Sequence, residues 1–163
     1  MRCPVTAVAP LLPHSGNMVL LDEIITYDAE QLQARAEIRD DHVFLQPDRT
    51  VPVWLAVEIM AQGIAAFDGC HATDEGRPVR LGFLLGSRKL ILHQNHLPVG
   101  ARLEVIVRAS VSDGSGFSLF DCQLRWLNAP QAISAQLPAD NLVAEGTLNV
   151  FQPSVNPEGQ AAL

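Results

Sequence analysis

From Met18 to Phe151 the chain reads as short alternating runs separated by polar turns, with one long apolar stretch among them. Met18 to Tyr27 and Leu32 to Arg39 flank a short polar turn. In the second run Leu32, Ala34, Ala36 and Ile38 alternate with Gln33, Arg35 and Glu37. Alternation at period two marks a half-buried strand, so the two runs predict a hairpin. A polar loop, Asp74 to Pro78, leads to a strand from Leu81 to Leu92. Leu103, Val105 and Val107 alternate next, Asp113-Gly114-Ser115-Gly116 supplies a turn, and Phe120, Cys122, Leu124 and Trp126 alternate after it, which predicts a second hairpin. Asn128 to Asp140 reads as a connection and Leu142 to Phe151 as a last strand. Residues 1–151 then form one domain, and 152–163, with Pro153, Pro157 and Gly159, a flexible tail.

The long apolar stretch is V-P-V-W-L-A-V-E-I-M-A-Q-G-I-A-A-F, Val51 to Phe67. Pro52 suits the first position of a helix, whose N–H lacks an intrahelical partner anyway, and nothing breaks the run before Gly63. Its apolar residues surround the axis, so the helix is expected to be wrapped by protein on nearly all sides. Glu58, Gln62 and Gly63 interrupt it, and a membrane span needs roughly 20 apolar residues. A core helix amid antiparallel strands predicts an α+β fold with the sheet curled around that helix.

Glu58 lies near the middle of this stretch. Burying a carboxylate unpaired is costly enough that such a group takes up a proton instead, which would make Glu58 a proton donor. Gln62 follows one turn later on the same face, placed to orient Glu58, cap a backbone group or meet a substrate. A purely structural hydrogen bond or ion pair for Glu58 competes with the catalytic reading.

The net charge of −7 argues against a nucleic-acid partner, which would need a basic face. Cys3, Cys70 and Cys122 are too few and scattered for a disulfide framework or a metal knuckle. No charged segment followed by an apolar stretch opens the chain, so a cytoplasmic location is expected. His71, His93 and His96 read as solvated residues of loops or strand ends, and His93 and His96 have no carboxylate or cysteine at metal-ligand spacing.

Three segments in order carry a family resemblance. L-P-H-S-G-N-M-V-L-L-D-E-I (Leu12 to Ile24) resembles the opening Leu-Pro-His and Leu-Leu-Asp-Arg-Ile pattern of the hotdog-fold 3-hydroxyacyl-[acyl-carrier-protein] dehydratases. V-E-I-M-A-Q (Val57 to Gln62) resembles their Glu-Ala-Met-Ala-Gln helix, and L-P-V-G-A-R-L-E-V (Leu97 to Val105) their Pro-Gly-Asp turn. The helix wording, followed by L-G-F-L-L-G-S-R (Leu81 to Arg88), is most similar to the dehydratases of bacterial aryl polyene pathways.

The resemblance implies a hotdog fold and dehydration of a 3-hydroxyacyl thioester to a trans-2-enoyl thioester. The acyl chain would ride on the phosphopantetheine of an acyl carrier protein, with no other cofactor and no metal. Glu58 matches the family's helix acid. Val53 and Trp54 would offer amide donors to the thioester oxygen, and Trp54 could instead be core or wall the acyl tunnel. Gly82, Phe83 and Leu84 fall on the strand that lines the tunnel in relatives. The family's His-Phe-Pro-Gly loop is missing, since Phe44 to Trp54 holds no histidine. In this fold acid and base typically come from two subunits, which implies a homodimer or a heterodimer with a related subunit that lends its histidine. The local alternatives are His14 and His42. An acidic carrier needs a basic rim, for which Arg77, Arg80, Arg88 and Lys89 are the available cluster. Two other functions compete: a hotdog thioesterase, whose carboxylate activates water, and a non-catalytic acyl-binding or scaffold subunit.

Overall fold

The alternating runs form one antiparallel sheet, and the apolar stretch becomes the helix it wraps. The computed structural model describes residues 1–129 and 140–153. In chain order the elements are β1 (Glu23–Tyr27), β2 (Gln31–Glu37), β3 (Thr50–Pro52), α1 (Leu55–Asp74), β4 (Phe83–Leu92), β5 (His96–Pro98), β6 (Arg102–Ser112), β7 (Phe117–Asn128) and β8 (Leu142–Phe151). Six strands join in the order β1-β2-β6-β7-β8-β4, and β3 pairs with β5 in a separate ribbon. This is the expected α+β hotdog architecture, a curled antiparallel sheet around one long central helix. No helix among the described residues is long and apolar enough to cross a membrane.

One register row shows how the sheet meets the helix. Ala34, Val105, Leu124 and Ala144 lie side by side on β2, β6, β7 and β8, all fully buried. Small residues in this row let α1 approach closely, and Gly63 completes the fit. A Cβ on Gly63 would stand 2.7 Å from Val107 Cγ2 and 3.0 Å from Val105 Cγ1. Thus Gly63 lies inside α1 because the sheet leaves no room for a side chain.

Several boundaries differ from the sequence expectation. Pro52 belongs to β3, opposite His96, and α1 begins at Leu55. The Val53 amide donates to Asn95 O at 3.1 Å, which pins the chain to the ribbon just before the helix turns. The helix runs to Asp74 and stops where Gly76 (φ 66°) takes the left-handed conformation that favours glycine, with Arg77 N–H bonded to Ala72 O at 2.7 Å. Met18 to Asp22 is not strand: a 3-10 turn, Gly16–Met18, occupies its start. Trp54 is not core but 53% exposed at the helix N-cap, its ring edge-on to Phe44. Most of the expected connection, 130–139, and the tail beyond Pro153 lie outside the described residues.

Edge strand β4 is unusual. Phe83, Leu84, Leu85, Leu90, Ile91 and Leu92 are all exposed. Its pairing with β8 slips between Arg88 and Ile91, where Lys89 has φ 51°. The resulting bulge rests on Gly146, whose Cβ would lie 3.1 Å from Leu90 Cα.

Gly69 tests the packing of the helix against the amino-terminal segment. Alanine there gains up to about 1 kcal/mol of helix propensity. Its Cβ, however, would fall 2.2 Å from the Leu11 carbonyl oxygen, a backbone atom that cannot rotate aside. Overpacking costs about 1–3 kcal/mol, so Gly69→Ala is expected to lower the urea midpoint despite its better propensity.

Candidate active site

On α1, Glu58, Ala61, Ala65 and Asp68 follow the three-and-four spacing of one helical face, and this face is only half-buried. It forms one side of a cavity of about 590 Å³ whose other walls come from the start of β4, the β6–β7 hairpin and the end of β8. Pro13 and His14 close it beside Glu58. The expectation of a helix sealed on nearly all sides therefore fails along this stripe.

Glu58 is neither unpaired nor sealed. Its side chain is 35% exposed, and its Oε1 accepts from Gln62 Nε2 at 2.9 Å and faces His14 Nε2 at 3.2 Å. Oε2 has no protein partner among the described residues. One carboxylate oxygen is thus anchored while the other is available to a guest.

Gln62 supplies the anchor. It is fully buried, its Nε2 donating to Met18 O at 2.8 Å as well as to Glu58, and its Oε1 accepting from the Leu20 amide at 2.8 Å. Because Gln62 does not line the cavity, it orients Glu58 and caps backbone rather than touching a substrate. The same bonds fasten the loop after the Gly16–Met18 turn to the helix, which holds His14 against Glu58. His14 Nδ1 is buried without a hydrogen-bond partner among the described residues, leaving Nε2 as the ring nitrogen directed at the carboxylate.

His42 does not reach the site. It lies in the turn before β3, its Nδ1 accepting from the Phe44 amide at 3.2 Å, and it is not part of the cavity wall. Burial holds its imidazole below the ordinary value, with Asp41 opposing the shift and Arg39 adding to it. Neither Val53 nor Trp54 lines the cavity, and the Val53 amide is already spent on Asn95. Gly82, Phe83 and Leu84 do line it.

The four basic residues form no common rim. Arg77 pairs with Glu75, while Arg80 turns into the cavity near Asp68. Arg88 and Lys89 sit at the β4 bulge; Lys89, about 20 Å along the strand from Phe83, borders a shallower hollow elsewhere. Two other histidines also depart from expectation. His71 lies on α1 between Phe67 and Tyr27, and His93 faces Glu145 at 3.3 Å. Burial pushes the Cys70 and Cys122 thiols up to about 12, so neither is a thiolate at neutral pH.

Comparison with known proteins agrees with the geometry. The model of the ApeP dehydratase family matches residues 6–162. The dehydratase heterocomplex ApeI:P from Xenorhabdus doucetiae is similar at 26% identity and TM-score 0.78, over 98% of this chain and 95% of that one. More distant likenesses show the fold alone. The TT0310 protein from Thermus thermophilus has 15% identity and TM-score 0.53, over 78% of this chain and 88% of that one. A hypothetical thioesterase with coenzyme A from Streptococcus pneumoniae has 11% identity and TM-score 0.55, over 86% of this chain and 88% of that one. No curated protein matches the sequence.

Two measurements probe the site's framework. Gln62→Leu strands the Leu20 N–H and the Met18 carbonyl, so it should cost about 2–4 kcal/mol in chemical denaturation. The second concerns His42, whose folded form resists protonation. Its contribution to stability is complete above the unfolded value of 6.5 and is lost as pH falls through 6.5 toward the depressed folded value. Wild type should therefore lose stability relative to His42→Gln as pH is lowered from about neutrality through that range, read as the difference between their melting temperatures.

Proposed function

The chain belongs to the ApeP dehydratase family, and from that premise we propose that it dehydrates a 3-hydroxyacyl thioester, carried on an acyl carrier protein in aryl polyene synthesis, to the trans-2-enoyl thioester. The observation that carries the mechanism is the His14–Glu58 pair at 3.2 Å on the cavity wall. The proposed cycle requires Glu58 as the carboxylic acid and His14 with its Nε2 lone pair free.

His14 removes the proton from Cα, the electrons of that bond form the Cα–Cβ double bond, and the Cβ–O bond breaks. Glu58 gives its proton to the departing hydroxyl, which leaves as water. Protonated His14 then returns its proton to the Glu58 carboxylate across the short gap between them, and the pair is reset. No cofactor takes part, because the thioester arrives on phosphopantetheine and dehydration is redox-neutral. The cytoplasm, where carrier-bound acyl chains are made, is the proposed location.

The exposed apolar edge strand supports assembly with a second hotdog subunit. An exposed apolar edge invites pairing with another chain, and the similar heterocomplex has two kinds of subunit. In this reading the partner covers β4 and roofs the open side of the cavity.

General acid and base residues are worth about 100-fold to 10,000-fold in rate. In the assembled complex, Glu58→Gln and His14→Ala should each slow enoyl thioester formation by at least about 100-fold, with His42→Ala near wild type. Free acid and thiol as products would assign hydrolysis instead. Full activity of Glu58→Gln would leave a scaffold role, and full activity of His14→Ala would move the base to the partner.

A further inference from the structure

The amino-terminal residues cross the last turns of α1, and the crossing brings two of the three cysteines to one place. Val5 is fixed to β1 by two hydrogen bonds with Ile24, N–H to carbonyl in each direction and both 2.9 Å. At the other end of the segment the Met1 nitrogen donates to Tyr27 Oη and to Asp74, and Tyr27 Oη donates to Asp74 Oδ2. Cys3 sits midway between these anchors. Two residues of chain reach at most about 7 Å, which keeps Cys3 near the end of α1 that carries Asp74. Cys70 lies on the same helical face, one turn before Asp74, and is fully buried. Cys3 is only partly buried and packs against the hydrophobic core to which Cys70 belongs. The electrostatics agree with this placement. Burial, then the charge of Cys3 and that of Asp74, push the Cys70 thiol up to about 12 against the opposing pull of the Met1 ammonium.

One thiol of the pair is therefore open to reagents and the other is shielded. We propose that Cys3 and Cys70 form a redox pair, which an oxidant of the disulfide class, such as glutathione disulfide, joins into a bond that staples the amino-terminal segment to α1. The Cys3 thiolate attacks one sulfur of glutathione disulfide, releasing one glutathione thiolate and leaving a mixed disulfide on Cys3. The Cys70 thiolate then attacks the Cys3 sulfur and expels the second glutathione. Two protein thiols are oxidised, one glutathione disulfide is reduced to two thiols, and the two protons pass to the glutathione released. Because Cys70 holds its proton at neutral pH, the closing step is the slow one, and it gains about tenfold per pH unit as the thiolate fraction rises. The bond closes a loop from residue 3 to residue 70 that contains β1, β2, β3 and most of α1. It also fastens the segment that leads to His14. So long a closure restricts the unfolded chain strongly and is expected to raise the melting temperature by roughly 5–15 °C. None of this depends on which reaction the cavity performs.

The test treats the reduced protein, purified with its native partner, with glutathione disulfide over a range of pH and follows it by intact mass, peptide mapping and melting temperature. Wild type should first gain one glutathione on Cys3 and then lose it, leaving a Cys3–Cys70 peptide link, the higher melting temperature and a full return to the reduced values with dithiothreitol. Cys122→Ser should behave like wild type. Cys3→Ser should form no link and show no rise in melting temperature on oxidation. Cys70→Ala should stop at the mixed disulfide on Cys3. A wild-type mixed disulfide that persists at every pH, a link that involves Cys122 instead, or a Cys3–Cys70 link that leaves the melting temperature unchanged overturns the proposal.

Discussion

The amide of Gln62 is the constraint on which the site depends. It is buried on the central helix, and it cannot give up any of its three hydrogen bonds without leaving a polar group dry. Two of those bonds hold the segment that carries His14, and the third holds Glu58. The relation between imidazole and carboxylate is therefore set by one side chain that never meets the cavity. Because Gly63 and Gly69 bring the helix into close contact with the sheet and with the Leu11 backbone, the helix has little freedom to rotate and loosen this arrangement.

Period-two alternation made most of the sheet legible, since β2, β6 and β7 each bury one face: Leu32, Ala34 and Ala36, then Leu103, Val105 and Val107, then Phe120, Cys122, Leu124 and Trp126. Glu58 and Gln62 could be paired from their one-turn spacing alone. What escaped had no local signature. The three-residue strands β3 and β5 are too short to show a period, so Pro52 looked like a helix start when it was the end of a ribbon. His14 and His42 could not be separated by sequence distance, because the path of the amino-terminal segment depends on bonds to a residue more than forty positions away. Asp68, Arg80 and Gln152 come from a helix, a loop and the end of the last strand, and only folding brings them together. An apolar run such as β4 reads the same whether its own chain or another one covers it.

The cavity is asymmetric in how its two ends are built. At one end the helix start is tied to the β3–β5 ribbon and the carboxylate to a buried amide. The opposite end is closed by the turn of the β6–β7 hairpin and the last residues of β8, which reach the helix through side chains. One end is thus held through the main chain and a buried amide, the other through longer side chains.

The bulge at Lys89 bears on what this chain can assemble with. A neighbouring strand cannot keep one regular register along the whole of β4, whose pairing with β8 slips between Leu84 and Gly86 and again between Arg88 and Ile91. A companion must either carry a matching irregularity or leave the outer half of the edge uncovered. Choice of companion is then written partly into main-chain shape, guarded by the missing side chain of Gly146. Side-chain drift along the exposed edge could proceed without altering that fit, while any side chain gained at position 146 would press on the kink itself.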